Sequence, residues 1–172
     1  KTNVKPPILI VFFGGGGFLR NEGEKTGDIR VVDAAARKGY KVVNSVGDFQ
    51  ALKPGDDKVV AISPVLTSGE SLPYTIDDQG DGITLAQFTS KAIELLYGRQ
   101  GFFIMVEGGK IDWACHANDA AAAVKEVLAF DEAIGMAMEF YKKHPDETLI
   151  VVMADHETGG MSLGMDGMDE KR

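Results

Sequence analysis

The chain alternates short apolar runs with segments of helical periodicity, and this alternation constrains its fold more than any other feature. The apolar runs are rich in β-branched and aromatic residues and are bounded by glycine, proline or polar residues, as buried strands are. The predicted strands are residues 8–13, 40–44, 58–63, 101–106 and 148–153. The predicted helices are residues 28–37, 45–52, 84–97 and 118–143. Strands that alternate with helices form a mostly parallel sheet covered on both faces, so we expect an α/β fold of the three-layer α/β/α sandwich type.

The 172 residues suffice for one domain with a substantial core. Residues 64–83 contain Pro64, Pro73 and several glycines, which predicts a loop or an excursion from the sheet. The last stretch, residues 162–172, is polar and contains glycine, and we expect it to be a flexible tail.

Charge and cysteine content exclude several classes of protein. A net charge of -8 argues against nucleic acid or an anionic membrane as a partner, because both attract clustered lysine and arginine. No stretch reaches the roughly 18 to 20 apolar residues of a membrane span, and residues 1–7 do not resemble a signal peptide. The single cysteine, Cys115, cannot form an internal disulfide, so packing must hold the fold together.

Five potential metal ligands follow two of the predicted strands. Glu107, Asp112 and His116 come after the strand at residues 101–106, and Asp155 and His156 come after the strand at 148–153. Carboxylate and neutral imidazole are ligands that Zn²⁺ accepts, and α/β proteins place their chemistry beyond the carboxyl ends of strands. The two clusters together favour a zinc-dependent hydrolase.

Each cluster also has a simpler interpretation. Asp112 and His116 are four residues apart and would share one face of a helical turn, but Asp112 could merely cap that turn. Asp155 and His156 would point to opposite faces of a strand and could bind one ion only where the chain turns, which Gly159 and Gly160 permit. The alternative for this second pair is an Asx-type turn with an exposed histidine.

Residues 101–112, His116 and residues 151–160 closely resemble the metal-binding blocks of bacterial-type alkaline phosphatases. Both blocks match in order and in separation, with a long helix between them. The resemblance implies that residues 1–172 are part of a single alkaline phosphatase-like catalytic domain, and thus a partial domain.

The resemblance also implies roles for the five residues. It assigns Asp112 and His116 to a first zinc, Asp155 and His156 to a second zinc, and Glu107 to a magnesium ion. In the family, the two zinc ions flank a serine nucleophile during hydrolysis of phosphate monoesters through a phosphoserine intermediate. Bound divalent ions would attract small phosphate esters that a net charge of -8 would otherwise repel.

Other parts of the family's site have no convincing counterpart in this chain. The serine nucleophile, the phosphate-binding arginine and a shared aspartate are expected from sequence upstream, and a further histidine is expected from sequence downstream. No catalytic residue is therefore assigned here, and the chain alone is expected to be inactive. Trp113 stands where better-known relatives carry a charged or imidazole side chain, so the resemblance implies different electrostatics near the phosphate.

Further expectations follow from the resemblance alone. The parent protein would be periplasmic or extracellular, and a homodimer is one expected assembly. The same superfamily includes phosphodiesterases and phosphomutases, which provide an alternative function. A non-catalytic metal-binding or interaction module is an alternative of another class.

Overall fold

The computed structural model describes residues 11–12, 31–67, 71–98 and 101–158. These residues contain a parallel sheet of three short strands, in which β3 lies between β1 and β2. The predicted parallel pairing is confirmed for these strands. The strands are β1 (Val11–Phe12), β2 (Lys41–Val43) and β3 (Val59–Ala61).

Five α-helices and one short 3-10 turn complete the described structure. The helices are α1 (Val31–Arg37), α2 (Val46–Gln50), α3 (Leu85–Leu96), α4 (Gly109–His116) and α5 (Ala120–Lys143), and the 3-10 turn is Thr75–Asp77. Thr84 begins α3 with a capping box, since its hydroxyl accepts the Gln87 N–H while the Gln87 side chain accepts the Thr84 N–H. The predicted start of the first helix at residue 28 and the predicted tail at 162–172 lie outside the described residues.

The main hydrophobic core lies between the sheet and α3. Helical spacing predicts an apolar face on α3 that includes Phe88 and Leu95. These two residues are buried together with Val59 and Ala61 of β3, and Leu95 is only 1% exposed. Phe49 of α2 packs edge-on against Phe88 of α3, with ring centroids 5.0 Å apart. This core supports α3, and α3 in turn packs against α5.

The predicted strands at residues 101–106 and 148–153 do not join the sheet. Neither segment belongs to a ladder in the described structure, and both expose large side chains, with Phe103 87% and Leu149 86% exposed. An apolar run forms a strand only when a neighbouring strand pairs with its backbone, and the described residues provide no such neighbour. The apolar pattern alone could not reveal whether a neighbour was present.

Helix α5 was predicted at 118–143 and begins two residues later, at Ala120. Helical spacing predicts that six residues of this helix face the core: Val124, Val127, Leu128, Ala133, Ile134 and Met138. Ala133 is buried as predicted, but the prediction is wrong for Val124, Val127 and Leu128, each of which is about half exposed. The buried stripe of α5 consists of Ala122, Ala123, Glu126 and Ala133. Small alanine side chains let α4 and α5 approach closely, and Ala114 of α4 packs into that contact. Among the described helices, none combines the length and apolar character needed to cross a membrane.

Candidate metal centre

Helix α4 brings Asp112 and His116, the first pair, to one face. Asp112 lies in the first turn of α4 and His116 in the last, so one turn of helix separates them. Oδ1 of Asp112 is 3.5 Å from Nε2 of His116. Two ligand atoms that bind one tetrahedral zinc ion, each about 2.1 Å from the metal, lie about 3.4 Å from each other. The first pair therefore has a donor set and a spacing that fit one zinc ion.

The turn after α4 fixes where the helix ends. Asn118 has a left-handed backbone with φ of 54°, the Asn118 N–H bonds to the Cys115 carbonyl, and the Asp119 N–H bonds to the Ala114 carbonyl. These two bonds form a Schellman motif, in which a left-handed residue satisfies the free carbonyls of a helix. Asp119 then caps α5, because its carboxylate accepts the Ala122 N–H at 3.0 Å. His116 is thus held in the last turn of a helix with a fixed end.

The second pair, Asp155 and His156, lies where the chain bends after residues 148–153. The Asp155 carboxylate accepts the His156 backbone N–H at 3.2 Å, a local contact of the kind expected for a turn. Nε2 of His156 lies 3.8 Å from Oδ2 of Asp155. Both side chains are solvent-exposed, so water and small ligands can reach them. The bend thus places both side chains of the second pair on the same side of the chain.

The two pairs meet at Asp112. Nε2 of His156 lies 3.8 Å from Oδ1 of Asp112, and the imidazole rings of His116 and His156 have centroids 6.5 Å apart. The structure therefore brings together four of the five predicted ligands. Within the described residues, no three His, Cys, Asp or Glu side chains form a group that could hold a metal ion, so the structure shows two neighbouring pairs of potential ligands.

Glu107, the fifth predicted ligand, lies just before α4. Its Oε1 lies beside the start of the helix, 3.5 Å from the position a Cβ on Gly109 would occupy. Within the described residues it makes no hydrogen bond or ion pair with the other four predicted ligands. The structure therefore keeps Glu107 near the site without joining it to either pair.

The surroundings of His156 favour a proton on its ring. The Glu157 backbone carbonyl, 2.8 Å from Nδ1, is the main cause of a raised His156 pKa, and the Asp155 carboxylate adds to it. A raised pKa means that protons compete with a metal ion for this ring over a wider pH range.

Sequence reasoning did not select Thr158, which contacts both pairs. Its Oγ1 lies 3.3 Å from Oδ1 of Asp112 and 3.2 Å from Nδ1 of His156. Thr158 also lines a cleft of about 230 Å³ between the end of α4 and the start of α5. Its place two residues after His156 was the one sequence signal that could have identified it.

A second cluster lies on the other side of α4. Nζ of Lys110 is 4.2 Å from the ring centroid of Tyr74 and 4.3 Å from that of Trp113, so the ammonium lies between two aromatic faces. Burial lowers the Lys110 pKa, and the Glu126 carboxylate opposes that effect. Glu126, on α5, accepts the Thr75 backbone N–H at 2.6 Å. These contacts attach the 3-10 turn to α4 and α5 and fix the half-exposed Trp113 next to Asp112.

The third histidine belongs to a different environment. His144 caps the end of α5 and packs against the rings of Phe140 and Tyr97, at centroid distances of 4.6 and 5.2 Å. It therefore offers a matched control for substitutions of His116 and His156.

Several known proteins are similar to this chain in sequence. A family model described as alkaline phosphatase matches residues 11–170. Alkaline phosphatase 4 of Bacillus subtilis is 36% identical over 168 residues, covering 97% of this chain and 34% of that protein. Alkaline phosphatase of Escherichia fergusonii is 49% identical over 145 residues, covering 72% of this chain and 30% of that protein.

Solved structures of alkaline phosphatases are also similar to this chain. A cold-active alkaline phosphatase from a psychrophilic Shewanella sp. superposes with a TM-score of 0.72 at 37% identity, covering 90% of this chain and 35% of that one. A mutant TAB5 alkaline phosphatase with magnesium bound superposes with a TM-score of 0.70 at 34% identity. The match covers 87% of this chain and 41% of that one. The chain spans about a third of the length of the curated relatives it matches.

Proposed function

The chain belongs to the alkaline phosphatase family, and on that premise we propose that its parent protein hydrolyses phosphate monoesters to an alcohol and inorganic phosphate. The observation that carries the proposal is the meeting of the two pairs at Asp112. His156 reaches to 3.8 Å from the Asp112 carboxylate although the two residues belong to separate sequence motifs. Family membership supplies the reaction class, and this convergence supplies a place where metal ions could act.

We assign the metal ions as follows. Asp112 and His116 would hold one Zn²⁺, Asp155 and His156 would hold a second, and Glu107 would bind Mg²⁺. The relative with magnesium bound supports a metal cofactor for this fold. When bound, such ions supply Lewis acidity and positive charge to an in-line displacement at phosphorus.

The role proposed for the described residues is to bind the metal ions and to orient the side chains that hold them. The capped end of α4 holds His116 in the last helical turn, one turn beyond Asp112. The chain's net charge of -8 repels a phosphate ester, so attraction of the substrate depends on cations held by these carboxylates. Trp113 is half-exposed and follows Asp112 in the sequence, and a charged residue at this position would change the affinity for phosphate.

Other parts of the reaction are proposed to lie outside these 172 residues. A serine nucleophile, which would carry the phosphoserine intermediate, and a phosphate-binding arginine would come from preceding sequence. The exposed apolar segments 101–106 and 148–153 support the proposal that the sheet is larger in the parent, as a three-layer α/β/α sandwich requires. We further propose that the parent is exported and forms a homodimer.

Hydrolysis of p-nitrophenyl phosphate tests this function. We would express the coding sequence that contains this chain together with its flanking regions and would supply zinc and magnesium. We expect turnover that falls at least about 100-fold in His116→Ala and Asp155→Ala and is retained in His144→Ala. Absence of turnover in the wild-type protein, or full turnover in both ligand variants, would contradict the proposal.

The 172-residue chain alone provides a second test. We expect no turnover from it, because each zinc would have two protein ligands and the nucleophile would be absent. Hydrolysis clearly above that of its His116→Ala variant would show that the chain is a complete enzyme, contrary to our proposal.

A further inference from the structure

We propose that Thr158 is a positioning residue whose hydroxyl links His156 to Asp112 and thereby orients one ligand from each zinc pair. The link itself is independent of metal, whereas its consequence for zinc rests on the proposed function. Thr158 is half-buried, and its Oγ1 lies 3.3 Å from Asp112 Oδ1 and 3.2 Å from His156 Nδ1. It is the described side chain that contacts both pairs without being one of the predicted ligands.

The chemistry of the three groups fixes the direction of both hydrogen bonds. An ionised carboxylate can only accept, so the Thr158 hydroxyl donates its single proton to Asp112. The hydroxyl oxygen must then accept from His156, which requires a proton on Nδ1. The Glu157 carbonyl, 2.8 Å from the same nitrogen, can also only accept and requires the same proton.

This arrangement leaves Nε2 of neutral His156 with its lone pair available. Nε2 is 3.8 Å from Asp112 Oδ1 and 3.8 Å from Asp155 Oδ2, beyond hydrogen-bond distance from either oxygen. Neutral Nε2 of His156 thus faces the carboxylates of Asp112 and Asp155 without a hydrogen bond to either. A ring nitrogen that binds metal is commonly oriented by a hydrogen bond from the opposite ring nitrogen, and here Glu157 and Thr158 accept that bond.

The hydrogen bond from Thr158 to Asp112 also orients a proposed zinc ligand. Oδ1 is the Asp112 oxygen that approaches both histidines, at 3.5 Å from Nε2 of His116 and 3.8 Å from Nε2 of His156. A hydroxyl that donates to this oxygen limits rotation of the carboxylate about its terminal bond. Loss of the hydroxyl would therefore loosen one ligand in each pair at once.

Two substitutions separate the hydroxyl from the space that the side chain fills. Thr158→Val keeps the branched shape and removes the hydroxyl, whereas Thr158→Ser keeps the hydroxyl and removes a methyl group. We would titrate the whole 172-residue chain with Zn²⁺ against a chromophoric chelator, after circular dichroism has shown equal helix content. We expect Thr158→Val to weaken zinc binding about 10- to 100-fold and Thr158→Ser to remain within about threefold of wild type. Equal affinity in wild type and Thr158→Val would overturn the inference.

A metal-free measurement distinguishes failure of this inference from failure of the proposed function. Nuclear magnetic resonance of the ¹⁵N-histidine chain at about pH 9, above the ordinary histidine pKa, reports which ring nitrogen carries the proton. We expect His156 to be protonated on Nδ1 in wild type and Thr158→Ser, and the Asp112 carboxyl ¹³C resonance to move in Thr158→Val alone. Protonation on Nε2, or an Asp112 resonance that does not respond to Thr158→Val, would overturn the link. Failure of the wild-type chain to bind zinc, with these resonances as expected, would count against the metal assignment while supporting the link.

Discussion

The Asp112 carboxylate lies 3.8 Å from Nε2 of His156, although Asp112 is on α4 and His156 follows an exposed segment beyond the end of α5. The long helix α5 lies between them in the sequence and packs against α4. Any change that shifts α4 along α5 should therefore alter the metal centre without touching a ligand.

The contact of Gly108 with α5 provides such a change. A Cβ on Gly108 would lie 2.9 Å from Ile111 Cδ1 and 3.2 Å from Cγ of Phe130. The Ile111 methyl can rotate away, but the ring must move, so we expect Gly108→Ala to lower the free energy of unfolding by about 1 kcal/mol and to weaken zinc binding. Gly109→Ala is the control, since its Cβ meets only the Glu107 carboxylate at 3.5 Å and alanine favours a helix. Urea unfolding of both variants checks this prediction, and an equal effect of the two substitutions would refute it.

The left-handed residue after α4 gives a second prediction. Asn118 has φ of 54°, a conformation that glycine adopts freely and that asparagine tolerates better than alanine. We expect Asn118→Gly to preserve stability and Asn118→Ala to reduce it by about 1 kcal/mol, as measured by thermal unfolding. If alanine and glycine had the same effect at this position, the Schellman motif would not be what fixes the end of α4.

Asp56 gives a prediction about pH. Its carboxylate accepts the Lys53 backbone N–H at 3.0 Å, and this bond, followed by the contact with Lys41, holds the Asp56 pKa below its ordinary value. A depressed pKa in the folded state stabilises the protein above the unfolded pKa of about 3.9, and this stabilisation is lost as the pH falls through the folded value. We expect Asp56→Asn to cost at most about 1 kcal/mol at neutral pH and nothing below the folded pKa.

The control for that experiment is Asp81→Asn. Asp81 is exposed and makes no hydrogen bond or ion pair within the described structure, so its substitution should leave stability nearly unchanged at neutral pH. Denaturation curves recorded from about pH 2 to pH 7 make the comparison. A constant difference between wild type and Asp56→Asn over that range would contradict the prediction.

Local patterns predicted the parallel sheet, α3 and the long helix well. The Thr84 cap and the apolar spacing through Leu95 depend on neighbours within a few residues, which the sequence shows directly. Pairing of residues 101–106 and 148–153 depends on distant partners, and for these segments the prediction was wrong. On α5 the prediction was right for Ala133 and wrong for Val124, Val127 and Leu128, because helical periodicity cannot tell whether alanines or larger residues face a closely packed helix.

In the candidate centre too, the sequence identified some residues and missed another. Residue type and spacing selected Asp112, His116, Asp155 and His156, and the structure brings these four together. Their roles as zinc ligands remain a prediction, as does the role of Glu107 as a magnesium ligand. Sequence reasoning missed Thr158 because a single hydroxyl has no distinctive spacing until the fold places it between two ligands.

Zinc titration of the 172-residue chain tests the central claim most directly. Trp113 is the only tryptophan and lies next to Asp112, so its fluorescence can report binding alongside a competing chelator. We predict that His116→Ala and His156→Ala each weaken zinc binding at least about tenfold, whereas His144→Ala, at the far end of α5, binds as wild type does. Equal zinc affinity in all four proteins would contradict the assignment of the metal centre.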